Sequence, residues 1–299
     1  MRVRLGALFL DADVVEELIE HWDETRSSPR WAPLLAALVS CVERDRGNID
    51  APIPIWDDLD SYGPSGRLLY YYLFAVQVFE LQAYYREHLV PDDVAEGTIR
   101  ALARHGETHR QFHGSTGVDA GWWMMVILRG EILQIGALKF HLVHLDVGTL
   151  SPRPWLDASA QARHGEGFRS GDVSLGLHIP ARTDLSPGAV DTSLERARSV
   201  LSALWPRTTR RLLTCQSWML DERLVAALGE DSNIVSFQRR FNVIEPYEED
   251  DANVAHFVFG RSPDELAQVR ATSRLERTVL DALESGATWR NRTGWIEFD

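Results

Sequence analysis

Residues 175–205, LGLHIPARTDLSPGAVDTSLERARSVLSALW, decide the fold. An apolar run ends at His178-Ile179-Pro180, a loop follows, and apolar residues at helical spacing then continue from Pro187 to Leu204. Ser186 stands at the N-cap and Pro187 at the first helical position. Serine there can accept from a free helix N–H, and proline lacks the donor that would be left over. A strand, a loop and a helix in this order leave the first helical amides facing outward from the strand's carboxyl edge, a place where anions bind. An ordinary capped crossover helix has the same pattern.

Outward from this unit the C-terminal half alternates. Val173–Ile179 reads as a strand, Arg211–Trp218 as a strand and Asp221–Leu228 as a short helix. Ile234–Val243 reads as a strand, EPYEEDD as an acidic turn, Val254–Phe259 as a strand and Ser273–Glu284 as a last helix. Alternation of this kind predicts a sheet with at least one parallel pair, covered by helices. Upstream, Ile132–Leu145 is β-rich and predicts one long strand or a hairpin bending at Gly136, with an irregular loop over 148–172. Before Gly130 the pattern is helical over Val14–Trp22, Trp31–Val42, Arg67–Leu89, Asp92–Phe112 and Trp122–Arg129, with a loop over 47–66. The expected fold class is therefore α+β or α/β, with a helical N-terminal domain over 1–130 and a mixed sheet flanked by helices over 131–299.

The 299 residues carry a formal net charge of −13, with 44% hydrophobic and 25% charged residues. That is a globular composition. Its sign argues against non-specific nucleic-acid binding, because phosphate contacts need a basic face. No apolar run reaches the roughly 18 residues of a membrane span, and no secretory leader is expected. Cys41 and Cys215 are the only cysteines, which excludes a disulfide framework and fits a reducing cytosol. Lys139 is the only lysine.

Among the chemically suggestive segments, CQSWMLDERL places Cys215 and Ser217 at a strand end, as a nucleophile or proton donor in one reading and as core packing in the other. In SNIVSFQRRF a strand would let only one of Arg239 and Arg240 face a given cleft. His105, His109 and His113 recur every four residues, a spacing able to bind a metal. In so polar a stretch the expectation is a solvated helix face and no metal. His141 and His144 are treated likewise. P-loop, nucleophile-elbow and dinucleotide-binding motifs are absent from the sequence.

Taken together, HIP with its loop and helix, CQSWMLDERL, SNIVSFQRRF, ATSRLERTVL and GATWRNRTGW resemble a bacterial two-domain family of GNAT-like acyltransferases. GWWMMVILRGEILQIGALKF resembles the junction between that family's halves. The resemblance spans about residues 30–299 and implies direct acyl transfer from acyl-CoA to an amine of a small molecule or peptide, with an acyl-carrier protein as another donor source. With the charge, the hydropathy and the polar histidine helix read above, no metal and no nucleic-acid or membrane partner is expected. The resemblance places Ile179, Pro180, Ala181, Arg182, Thr183, Ser186 and Gly188 at the donor's pyrophosphate and His178, Cys215 and Ser217 at the reacting groups. The usual superfamily loop, Gln/Arg-x-x-Gly-x-Gly/Ala, is replaced by Ala181-Arg182-Thr183-Asp184, and Gln216 stands where histidine is common. The alternative is a non-catalytic ligand-binding or interaction protein that keeps the fold.

Overall fold

The computed structural model describes residues 1–54, 59–119, 121–146, 153–205 and 212–298. The chain divides into two compact units, Met1–Gln134 and Ile135–Asp299.

The first unit is helical among its described residues up to the strand that begins at Ile132. Its helices are α1 (Arg2–Gly6), α2 (Ala12–Ser27), α3 (Trp31–Asp45), α4 (Pro64–Arg67), α5 (Leu69–Glu87), α6 (Asp92–Ile99), α7 (Ala101–His113) and α8 (Trp122–Leu128). In α3 the buried residues Trp31, Leu35, Leu38 and Val42 fall on one stripe, the pattern of a helix with one face on a core. Helix α5 is buried on every side from Leu69 to Ala75 and so forms the centre of the unit. The tyrosines there need partners for their hydroxyls, and Tyr72 finds one by donating to the Leu18 carbonyl at 2.9 Å. The single helix expected over 92–112 is two, meeting at Arg100. Thr98 donates back to the Val94 carbonyl at 2.8 Å and accepts from the Gln134 N–H at 2.9 Å. Such back-bonding competes with the helical ladder.

The second unit is built on a six-stranded sheet of order β1-β2-β3-β4-β6-β5. The strands are β1 (Ile132–Ile135), β2 (Leu138–His144), β3 (Val173–His178), β4 (Leu212–Ser217), β5 (Asn242–Glu249) and β6 (Arg290–Glu297). The chain passes from the first unit to the second within β1. The β1–β2 turn is the expected bend, with Gly136 at φ 61°. A side chain at that position would also collide with Ser193. The helices are α9 (Ala158–His164), α10 (Pro187–Leu204), α11 (Arg223–Leu228), α12 (Asn233–Gln238), α13 (Asp251–Phe259) and α14 (Arg274–Glu284). Strands β3 and β4 are the expected parallel neighbours, and the pairs β2–β3, β4–β6 and β5–β6 are antiparallel.

Four expectations are corrected. The loop over 148–172 contains α9, capped by Asp157, which accepts from the Ala160 N–H; residues 147–152 lie outside the described residues, as does Arg211 at the expected start of β4. The strand over 234–243 is instead α12, whose buried Val235 and Gln238 lie three apart on one face. The strand over 254–259 is instead α13, bounded by Asp250, which accepts from the Asn253 N–H, and by Gly260 in the left-handed conformation. Caps at both ends decide a short apolar run in favour of helix. The acidic stretch read as a turn is the edge strand β5, whose register against β6 shifts between Val243 and Tyr247, around Pro246. Proline and like charges are tolerated at such an edge, where one side of the strand has no ladder to complete.

Candidate active site

Strands β3 and β4 pair in register at Leu175–Leu213 and Gly176–Thr214. Beyond that point β3 continues to His178 beside β2, with Lys139 as its partner, and β4 continues to Ser217 beside β6, with Arg292 as its partner. Each strand keeps its outer neighbour, but their mutual register stops at Gly176 and Thr214. The carboxyl ends of the two central strands therefore border a wedge.

Side-chain alternation sorts the residues around this wedge onto two faces. One face carries Phe140, Leu142, Leu175, Leu177, Leu213 and Cys215, all apolar or weakly polar. The other carries Lys139, His141, Gly176, His178, Thr214, Gln216 and Thr293. Lys139, His141, Thr214 and Thr293 are all buried, so a polar layer lies within the sheet's covering. Trp155, Phe168, Leu212, Ile244 and Leu145 form the apolar cluster on this side, and the Trp155 indole donates to the Phe168 carbonyl at 2.9 Å.

His178 is partly exposed, and its Nε2 lies 3.3 Å from His141 Nδ1. Burial holds the His178 imidazole well below its ordinary value, and the positive charges of His141, Arg153 and Lys139 push in the same direction. It is therefore a neutral base at pH 7. Gln216, the residue at the position where histidine is common, donates from Nε2 to Glu248 Oε2 at 3.0 Å.

Cys215 and Ser217 do not join His178. Cys215 is 1% exposed on the apolar face, and burial pushes its thiol up to about 12 against the opposing charge of Arg153. A thiol so disposed is core packing rather than a nucleophile. The Ser217 hydroxyl accepts from the Met219 N–H at 3.1 Å and caps the turn that follows β4.

The loop 179–188 lies between β3 and α10. Ala181 and Arg182 are exposed, and Arg182 adopts φ 58°, a conformation that usually selects glycine. The Thr183 hydroxyl donates to the Ala137 carbonyl at 3.2 Å, and the Ala137 N–H donates to Ser193 Oγ at 2.9 Å. The β1–β2 turn thus holds both the loop and the first turns of α10. Ser186 is the N-cap of α10, but its side chain makes no capping bond. Its N–H and hydroxyl donate instead to the Asp184 carboxylate, at 2.8 and 3.0 Å. Pro187 and Gly188 are exposed, and a side chain at Gly188 would meet open space. Arg240 reaches the same turn, pairing with Asp191 at 2.5 Å and pointing toward the Pro187 carbonyl. Arg239 pairs with Glu230.

Four residues of this arrangement escaped the sequence reading. Lys139 and His141 carried a usable signal, because a Lys-x-His spacing on a strand puts both on one face. Glu248 was hidden in the misread acidic turn and Arg153 in the loop. The three-histidine helix is also corrected. His109 is fully buried, with its Nδ1 3.0 Å from Asp119 Oδ1, and does not lie on a solvated face.

A mixed sheet whose parallel central strands part at their carboxyl ends, followed by a loop and a helix, is the arrangement of a GNAT-like fold. The chain belongs to the family of the GNAT-like C-terminal domain, whose model matches residues 132–296, and the N-acyltransferase N-terminal domain matches residues 2–130. No curated protein matches the chain. Among solved structures it is similar to an acyltransferase in complex with decanoyl-CoA and teicoplanin, at 27% identity over 99% of this chain and 86% of that one, with a TM-score of 0.78. It is also similar to an acyltransferase in complex with CoA and 10C-teicoplanin (26%, 99% and 86%, TM-score 0.78). A mutant acyltransferase in complex with octanoyl-CoA matches at 26% identity over the same shares of the two chains, with a TM-score of 0.81.

Proposed function

We propose that this enzyme transfers a fatty acyl group from acyl-CoA to an amine on a peptide-like small molecule. The 131–299 domain supplies the chemistry, in the cytosol where the donor is made. The observation that carries this reading is the wedge at Gly176–Thr214 with His178 on its polar face. The amides of an extended pantetheine arm are of the kind that hydrogen-bond along a strand edge. The donor's phosphates take the first amides of α10, with Ile179 through Thr183, Ser186 and Gly188 around them and Arg182 as the charged helper. The complexes of similar acyltransferases with decanoyl-CoA, octanoyl-CoA and teicoplanin support a medium-chain donor and an amine on a glycopeptide-like acceptor.

In the transfer step the acceptor nitrogen attacks the thioester carbonyl, the new C–N bond forms and the C–S bond breaks. His178 takes the amine proton, with His141 beside it to share that proton, and the protonated imidazole then delivers it to the departing thiolate, which leaves as the thiol of free CoA. No acyl-enzyme forms, consistent with the buried, protonated Cys215. An acyl-carrier protein can present the same thioester, and the test below separates the two donors.

Calorimetric titration of the protein with decanoyl-CoA is expected to give one saturable site. No binding at millimolar concentration would exclude a free-CoA site and leave a carrier-bound donor or a non-catalytic binder. The Asp184 carboxylate stands at the helix end proposed for the phosphates, and with the missing glycine-rich loop and Gln216 it is what favours the non-catalytic alternative. Removal of its charge by Asp184→Asn is therefore expected to tighten donor binding by roughly fivefold, about 1 kcal/mol for one charge at close range in water. Unchanged affinity in that variant would place the phosphates elsewhere.

A further inference from the structure

Helix α7 sets His109 and His113 one turn apart, with ring centroids 4.4 Å apart. Asp119, from the segment after the helix, brings Oδ1 to 3.0 Å from His109 Nδ1 and 3.1 Å from His113 Nε2. One ligand atom from each of the three lies within 4.8 Å of the others. The approach of Asp119 is built into the fold. Gly114 ends α7 in the left-handed conformation and turns the chain back, and the Tyr71 hydroxyl holds the returning segment by donating to the Gly117 carbonyl at 3.3 Å. A side chain at Gly117 would collide with the His109 ring, so the ring is fixed by close backbone contact. His109 is buried, whereas His113 is 51% exposed and opens the cluster to solvent.

Ligands about 2.0–2.1 Å from a metal, at angles of roughly 90–110°, stand about 2.9–3.4 Å from one another. Both histidine–aspartate separations fall in that interval. Two imidazoles with one carboxylate suit an ion of the zinc class, and the hard cations that prefer all-oxygen sites are poorly served. A purely hydrogen-bonded His–Asp–His cluster would use the same atoms, and it is the competing account.

The geometry points to a binding site for a divalent transition-metal ion on His109, His113 and Asp119, with a further position open to water. Such an ion would tie the end of α7 to the segment 114–119 and stabilise the helical unit, independently of the acyl-transfer site.

The test uses the full chain after treatment with a chelator, with Zn²⁺ followed by calorimetry and melting temperature and Co²⁺ followed by visible absorption. One equivalent is expected to bind, to raise Tm by several degrees, and to give the d–d bands of a four- or five-coordinate Co²⁺ site. His113→Ala and Asp119→Asn should each abolish all three effects, and His105→Ala should retain them. His113 is exposed, so its loss leaves the fold intact, as an unchanged circular dichroism spectrum would verify. Absence of saturable binding by the unmodified protein, or binding that survives both His113→Ala and Asp119→Asn, overturns the proposal and leaves the hydrogen-bonded cluster.

Discussion

Replacement of His178 by alanine is expected to lower kcat for acyl transfer from decanoyl-CoA by about 10²–10⁴-fold, the range for loss of a general base. Donor affinity should change little, since the site proposed for the phosphates, at the start of α10 and the loop before it, does not include His178. The reason to single out His178 is its combination of access and charge state. It ends β3 just beyond the last β3–β4 pair, is half-buried and lies 3.3 Å from His141, and burial of its ring, with the charges of His141, Arg153 and Lys139, holds its pKa well below the ordinary value. Lowering the pH protonates it, so activity should fall on the acid side, with the limb below the roughly 6.5 of a free imidazole. Lys139→Met, which removes a positive charge across the β2–β3 pair, should move that limb upward. A His178→Ala enzyme within threefold of the unmodified rate would remove His178 from proton transfer.

Arg129→Met is expected to destabilise the helical unit by about 3–5 kcal/mol, the cost of removing one member of a buried ion pair. The Arg129 guanidinium is 1% exposed. Its Nε lies 2.6 Å from Glu131 Oε1, and its other nitrogens donate to the carbonyls of Asn48, Ala51 and Pro52, the Ala51 bond being 2.9 Å. The side chain therefore closes the segment after α3 onto the end of α8, and methionine fills its volume without supplying any of those donors. Burial already raises the Glu131 carboxyl above its ordinary range even with Arg129 beside it. A raised carboxyl contributes stability that is complete below the unfolded value, near 4.3, and is lost as pH rises through the folded value. Both proteins should thus melt lower at pH 8 than at pH 5, and the variant should show the larger drop. Urea unfolding at the two pH values measures this. A loss below about 1 kcal/mol, or one independent of pH, would mean that the arginine is replaceable by simple packing.

The sequence was most legible where local signals agreed. In β3 and α10, an apolar run, a breaker loop, Ser186 and Pro187 all point to the same strand–loop–helix, and it forms as read. It was least legible in short segments whose identity is set by neighbours. Asn233–Gln238 and Asp251–Phe259 have strand-like composition, yet packing of Val235, Phe237 and Gln238 makes the first a helix and caps at both ends make the second one. The β6 run RNRTGWIE, which the sequence reading assigned to no element, lies between β4 and β5. Its arginines look like a surface segment until Glu222 is seen to pair with both Arg290 and Arg292.

The candidate site divides in the same way. Sequence by itself determined the helical and mixed-sheet halves and the strand–loop–helix of β3 and α10, because caps, breakers and periodicity act within a few residues. Only the tertiary structure decided which side chains share a face. Whether Cys215 looks into the wedge or into the core depends on the register with which β3 meets β4, and a shift of one residue reverses every side chain. The same holds for Lys139, His141 and Glu248, which are brought beside the site by strands distant in sequence. It holds again for His109, which looks solvated in a polar helix and becomes buried only when the returning segment packs Gly117 against its ring. Register and burial are set by contacts between distant segments, so no local pattern encodes them.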